Sequence, residues 1–113
     1  MKLSAHLCLL TDGTLGRYPT VETDASGKVV SLTLHDVLEE EAGMVFVGGI
    51  MVCDASKLPG HLAVQGAEDF AENFKGHEVT IGCDDIGVLT GINLLTLEGT
   101  AQLSPVVGLL RRG

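Results

Sequence analysis

The chain has 113 residues, 45% of them apolar, and its 7 Lys and Arg against 15 Asp and Glu give a net charge of −8. A single domain of this length buries roughly 60–70% of its unfolded surface, enough to hold a core without staples. The only adjacent basic pair is Arg111-Arg112, which excludes the basic stripe that a nucleic acid or an anionic membrane requires.

Mean hydropathy is +0.34, and with no Trp and one Tyr that apolarity lies in Leu, Val, Ile and Ala. Part of the surface is therefore expected to be covered by another chain. Leu3, Ala5, Leu7 and Leu9 alternate with Lys2, Ser4, His6 and Cys8, which predicts a half-buried strand closed by the turn Thr11-Asp12-Gly13. Ser4 and His6 interrupt the apolar run, no small-residue cleavage site follows, and Leu7 before Cys8 does not suit lipidation, so no signal peptide is expected. Tyr18 to Asp24 and Lys28 to Leu34 read as a hairpin around Asp24-Ala25-Ser26-Gly27, with Gly27 in the left-handed position. Pro19 confines its strand to an edge or a first position. Val30, Leu32 and Leu34 are expected on one face, with Val29, Ser31 and Thr33 on the other. His35 to Gly43 is an acidic connection with room for one helical turn at Asp36 to Glu39.

Met44 to Cys53 is a ten-residue uncharged run, apolar at both parities. That predicts a core strand covered on both faces, too short to cross a bilayer. Ala55 to Gly60 reads as a loop. Ala67, Phe70, Ala71 and Phe74 then recur at helical spacing, acidic residues occupy the first turn, and Gly76 stands where a helix ends. His77 to Gly82 alternates as a strand, Cys83-Asp84-Asp85 turns, Ile86 to Leu89 and Gly91 to Leu97 are apolar strands, and Glu98-Gly99 turns again. Leu103 to Leu110 closes the chain, interrupted by Pro105. The expected fold is mainly β, a small β-sandwich or open barrel with one α-helix near 66–76.

No constellation among these residues demands chemistry. Cys8, Cys53 and Cys83 cannot all pair and match no zinc spacing, so buried free thiols in a reducing cytoplasm are expected. His6 and Cys8 supply at best half a metal site on one strand face. His61 and His77 flank the helix and read as exposed loop histidines. Asp84-Asp85, Asp54 and Glu22 show no spacing that fixes a carboxylate pair. Ser26, Ser56 and Ser104 lack a Gly-x-Ser-x-Gly frame, and Gly13-Thr14-Leu15-Gly16 opens no helix after a strand, so it is no phosphate cradle. Asn93, inside an apolar run, is expected to bond the backbone. No catalytic, cofactor-binding or metal-binding residue is therefore assigned.

Met1 to His6, the hairpin Asp24 to Val30, and Glu40-Glu41-Ala42-Gly43 before Gly49-Ile50-Met51-Val52 resemble the N-terminal β segment of the amidohydrolase superfamily of metal-dependent hydrolases, in its deaminase and chlorohydrolase-like branch. Gly91 to Leu95, Leu103-Ser104-Pro105 and Arg111-Arg112 resemble that branch's C-terminal β segment. The resemblance implies one composite domain, with 1–53 and 77–113 as its two β segments and a loop and helix at 54–76 in place of the metal-bearing barrel. It also implies a loss. Counting from Pro59-Gly60, the family's His-x-His metal ligands fall on Gln65 and Ala67, neither of which replaces an imidazole. Without a metal to acidify bound water the family's hydrolysis has no nucleophile. The expected function is thus a non-catalytic, stand-alone β domain that needs no cofactor and binds no nucleic acid or membrane. It would self-associate or serve a hydrolase as an accessory chain. The alternatives are a small metal-binding protein or hydrolase with a new site using His6, Cys8, His61 or Asp84, and a β module holding a small ligand between its sheets.

Overall fold

Two stretches that read as single strands are each broken across two sheets. In the computed structural model, which describes residues 1–38 and 42–106, the first stretch becomes β1 (Lys2–Ser4) and β2 (Leu7–Leu9). The core stretch becomes β6 (Met44–Phe46) and β7 (Ile50–Cys53). The remaining strands are β3 (Leu15–Arg17), β4 (Thr20–Thr23), β5 (Val29–Thr33), β8 (His61–Gln65), β9 (Ile86–Ile92) and β10 (Glu98–Pro105), with α1 at Ala67–Asn73 and a short 3-10 turn at Ala55–Lys57. One sheet runs β5-β4-β1-β6 and the other β3-β2-β7-β9-β10-β8. The fold is mainly β with one helix, as the patterning predicts.

β1 and β6 pair in parallel, Leu3 opposite Val45, and so do β2 and β7, Leu7 opposite Ile50. Both segments therefore leave the first sheet and enter the second side by side, at Ala5-His6 and at Val47-Gly48-Gly49. The two crossings are laced together, Val47 N–H donating to the Ser4 carbonyl at 2.7 Å and Leu7 N–H to the Gly49 carbonyl at 3.1 Å.

The second sheet is covered on both faces, which explains why β7 is apolar at every position. Met51 and Cys53 join Leu3, Cys8, Val21 and Val88 in the core between the sheets. Ile50 and Val52 face the other way, into a core with Leu9, Leu89, Phe70 and Phe74. All four β7 residues are buried. The same expectation fails for β6, an edge strand whose Val45 and Phe46 stay exposed. α1 anchors the second core through Phe70 and Phe74, ring centroids 4.7 Å apart and both buried; each ring is worth about 1.5–3 kcal/mol of burial. Its buried stripe is narrower than the spacing suggests, because Ala67 and Ala71 remain exposed.

Several boundaries move for identifiable reasons. A register shift between Glu22 and Thr23 bulges the β4–β5 pair, burying Val29 and turning Val30 out. His77 to Gly82 is not a strand, because its backbone bonds go to three different partners: the His77 carbonyl to Cys53, Val79 N–H to Leu9 and Gly82 N–H to Val29. The expected 54–76 loop and helix also contains β8, which pairs antiparallel with β10. The expected strand Gly91 to Leu97 ends at Ile92. There Asn93 Oδ1 accepts from Leu95 and Thr96 N–H at 2.8 and 3.1 Å, folding a turn, and β10 starts at Glu98 where a turn was expected. Glu39, Glu40-Glu41 and residues 107–113, including Arg111-Arg112 and the second half of the Leu103 to Leu110 segment, lie outside the described residues.

The thiols differ from expectation. Cys53 and Cys83 form a disulfide, and Cys8 alone is free. With the bond the inference to a reducing compartment loses its premise, since such cross-links persist where conditions are oxidising. Among the described residues no helix is long and apolar enough to cross a membrane.

Candidate functional site

His6 occupies the crossing between β1 and β2, and the crossing fixes its ring. Gly49 N–H, from the neighbouring crossing, donates to His6 Nδ1 at 2.9 Å. A ring nitrogen that accepts carries no proton, so the neutral imidazole holds its hydrogen on Nε2. The Phe46 ring stands edge-on to it, centroids 5.0 Å apart at 85°. Gly49 itself has φ +107°, and a Cβ there would lie 2.3 Å from the Leu89 carbonyl oxygen. Glycine is what lets the two crossings and β9 approach closely enough to hold the imidazole.

The half-buried ring is a shared wall between two clefts. One, of about 410 Å³, is lined by Gly48, Gly49, Thr90, Gly91 and Leu94 as well as His6. The other, of about 290 Å³, lies against Arg17, Tyr18, Leu94 and Leu95. Tyr18 has φ +45° directly before Pro19, a conformation that costs an L-residue about 1–3 kcal/mol. Its N–H donates to the His6 carbonyl at 2.9 Å, so the strained residue is tied to the same crossing. Such outliers concentrate at functional sites.

The other candidate residues are dispersed. Cys8 does not share a face with His6 as strand alternation predicts. The crossing breaks the alternation, and Cys8 is buried between the sheets, where desolvation pushes its thiol up to about 11. His61 is exposed on β8. His77 is half-buried rather than free in a loop, and its Nδ1 donates to the Cys53 carbonyl at 2.9 Å. Glu22 pairs with Lys2 at 3.5 Å on the surface, and Asp84 is exposed. Asp54 precedes the 3-10 turn in a left-handed conformation. Ser26 hydrogen-bonds Asp24 within the hairpin, Ser104 lies in β10, and Thr14 bonds Asp12 in the turn that joins β2 to β3. Gln65 ends β8 and Ala67 starts α1. Among the described residues no three His, Cys, Asp or Glu side chains cluster as a metal site requires.

Asp85 is structural. Its Oδ2 accepts the Ser56 hydroxyl at 2.6 Å and the Ser56 N–H at 2.9 Å, tying the 3-10 turn to the approach to β9. These bonds hold its carboxyl below the ordinary value of 3.8. A carboxylate lowered by folding stabilises the fold above its unfolded pKa, and the effect is lost as pH falls through the folded value. Asp85→Asn should therefore flatten the loss of stability below about pH 4, as read from thermal midpoints across an acid series. Parallel curves for the two proteins would refute this.

His6 was singled out from the sequence only as half of a metal pair; its bond to Gly49 and its two clefts carry no sequence signal, because the partner lies 43 positions away. Compared with protein-family models, with curated proteins and with solved structures, the chain finds no match.

Proposed function

We propose that this chain is a non-catalytic, stand-alone β domain, similar in arrangement to the composite domain of amidohydrolases, and that it acts through contact between chains. The observation that carries the reading is the join between the two ends of the sequence. β7, the last strand of the 1–53 segment, pairs along its whole length with β9 of the 77–113 segment, from Ile50 opposite Leu89 to Cys53 opposite Ile86. Where the family inserts a barrel, the link is a 3-10 turn, one strand and one helix. The Cys53–Cys83 bond closes that link at its base.

The contact is with a second copy. Among the described strands β6 pairs only with β1, leaving its outer edge open. It exposes Val45 at 38% and Phe46 at 41%, an uncharged edge of the kind that recruits another strand. A second β6 laid antiparallel across a two-fold axis would extend the four-stranded sheet through both protomers. A stable interface of this kind buries about 1,000 Å² or more. Sedimentation equilibrium should show a dimer, and Val45→Lys, which places a charge on the edge without touching the buried core, should raise the dissociation constant at least about tenfold. A wild-type monomer at every concentration would overturn the association. Metal analysis tests the non-catalytic half: stoichiometric zinc or iron in protein purified without added metal would favour a new metal site instead.

A further inference from the structure

We infer that the cleft between His6 and Arg17 binds a small carboxylate with an apolar body. Three independent features meet there. The bond from Gly49 N–H to Nδ1 leaves the imidazole a donor at Nε2, and the ring cannot turn to exchange its two nitrogens without giving up that bond. Arg17, on β3, lines the same cleft with an exposed side chain, and no ion pair is formed with it among the described residues. Guanidinium and imidazole N–H are both donors, so the polar partner they share must be an acceptor, and a planar carboxylate matches the guanidinium fork. In a protein of net charge −8, a cation facing a cleft with no carboxylate paired to it among the described residues is a natural seat for an external acid.

The apolar half is supplied by Leu94 and Leu95. The Asn93 turn is closed by Oδ1 bonds to the backbone N–H of Leu95 and Thr96, and it holds Leu95 out at 95% exposure beside the donors. An apolar side chain that exposed gains by covering an apolar ligand. The volume of about 290 Å³ suits a single ring or branched chain rather than a polymer. The strained Tyr18, bonded through its N–H to the His6 carbonyl, lines the same cleft. No bond is made or broken in this proposal. It goes beyond the scaffold reading and does not depend on it.

Phenylacetate is the probe, titrated into ¹⁵N-labelled full-length protein, with phenylacetamide as its uncharged counterpart. Saturable shifts should centre on the Gly49 and Tyr18 amides. The amide should bind at least about tenfold more weakly than the acid. Arg17→Gln should lose about tenfold in affinity for phenylacetate, and Leu95→Ala should weaken phenylacetate while leaving acetate unchanged. Both side chains are exposed, and unchanged urea midpoints will confirm intact folds. A separate cleft of about 300 Å³ lies between the Asp12 turn and α1, lined by Asp12, Phe74 and Lys75; shifts centred there, equal binding of acid and amide, or no saturation at tens of millimolar would each overturn the assignment. Repeating the titration on Val45→Lys separates this result from the dimer, since ligand binding should survive there whether or not the wild type associates.

Discussion

Gly49→Ala should destabilise this domain severely, with an expected loss above about 3 kcal/mol. Two costs add. At φ +107° an alanine is strained wherever it sits, and here its Cβ would lie 2.3 Å from the Leu89 carbonyl oxygen. That obstacle is main chain in the middle of β9, held by β7 on one side and β10 on the other, so it cannot swing aside as a side-chain tip would. Moving it means parting the crossing from the central sheet, with loss of the bonds from Gly49 N–H to His6 and from Leu7 N–H to the Gly49 carbonyl. Gly13→Ala is the control. Its φ is +83° but nothing lies within 4 Å of the added carbon, so it should cost only the conformational term, about 1 kcal/mol. Urea denaturation of the two variants checks the comparison, and equal midpoints would show that the close approach to β9 contributes nothing.

Reduction should have a comparable effect. The Cys53–Cys83 bond spans 30 positions, and closing a loop of that size in the unfolded chain contributes about 3–4 kcal/mol on the chain-entropy model. Against a total of about 5–15 kcal/mol for a domain, that is a large share. Adding a reductant, or replacing both residues in Cys53→Ala/Cys83→Ala, should lower the denaturation midpoint to the same value. Cys8 should make no difference, since it is buried and unpaired. Identical midpoints with and without reductant would show that the bond does not contribute to equilibrium stability.

Features set by neighbours in sequence were legible before the structure. The Asp24 to Gly27 hairpin follows from its turn residues, with Asp24 Oδ1 accepting from Ser26 and Lys28 N–H. The helix follows from Phe70 and Phe74 one turn apart on an otherwise polar stretch, and β7 from its apolar run. The crossings were not legible, because the apolar pattern runs through them in the sequence, while the alternation fails only in three dimensions, where Cys8 turns in between the sheets and Gly49 takes φ +107°. Leu3 to Leu9 and Met44 to Cys53 therefore read as unbroken. β8 had a signal in Leu62 and Val64, but two apolar positions beside Pro59-Gly60 resemble the end of a loop. Three cysteines admit any pairing, and the choice of Cys53 with Cys83 depends on where the segment after the helix returns to the sheet. The site is the extreme case. Residues 6, 17–18, 48–49 and 94–95 meet only because two sheets and a hairpin place them together.

The strand order of the larger sheet also bears on synthesis. β7 finds β2 early but stays open on its other side until β9 leaves the ribosome, and β8 must wait longer still, since among the described strands it pairs with β10 alone. Every residue from β7 to β10 has to be delivered before the sheet can close, so the nascent chain carries an uncovered apolar edge over that whole interval, the one in which holding factors matter most.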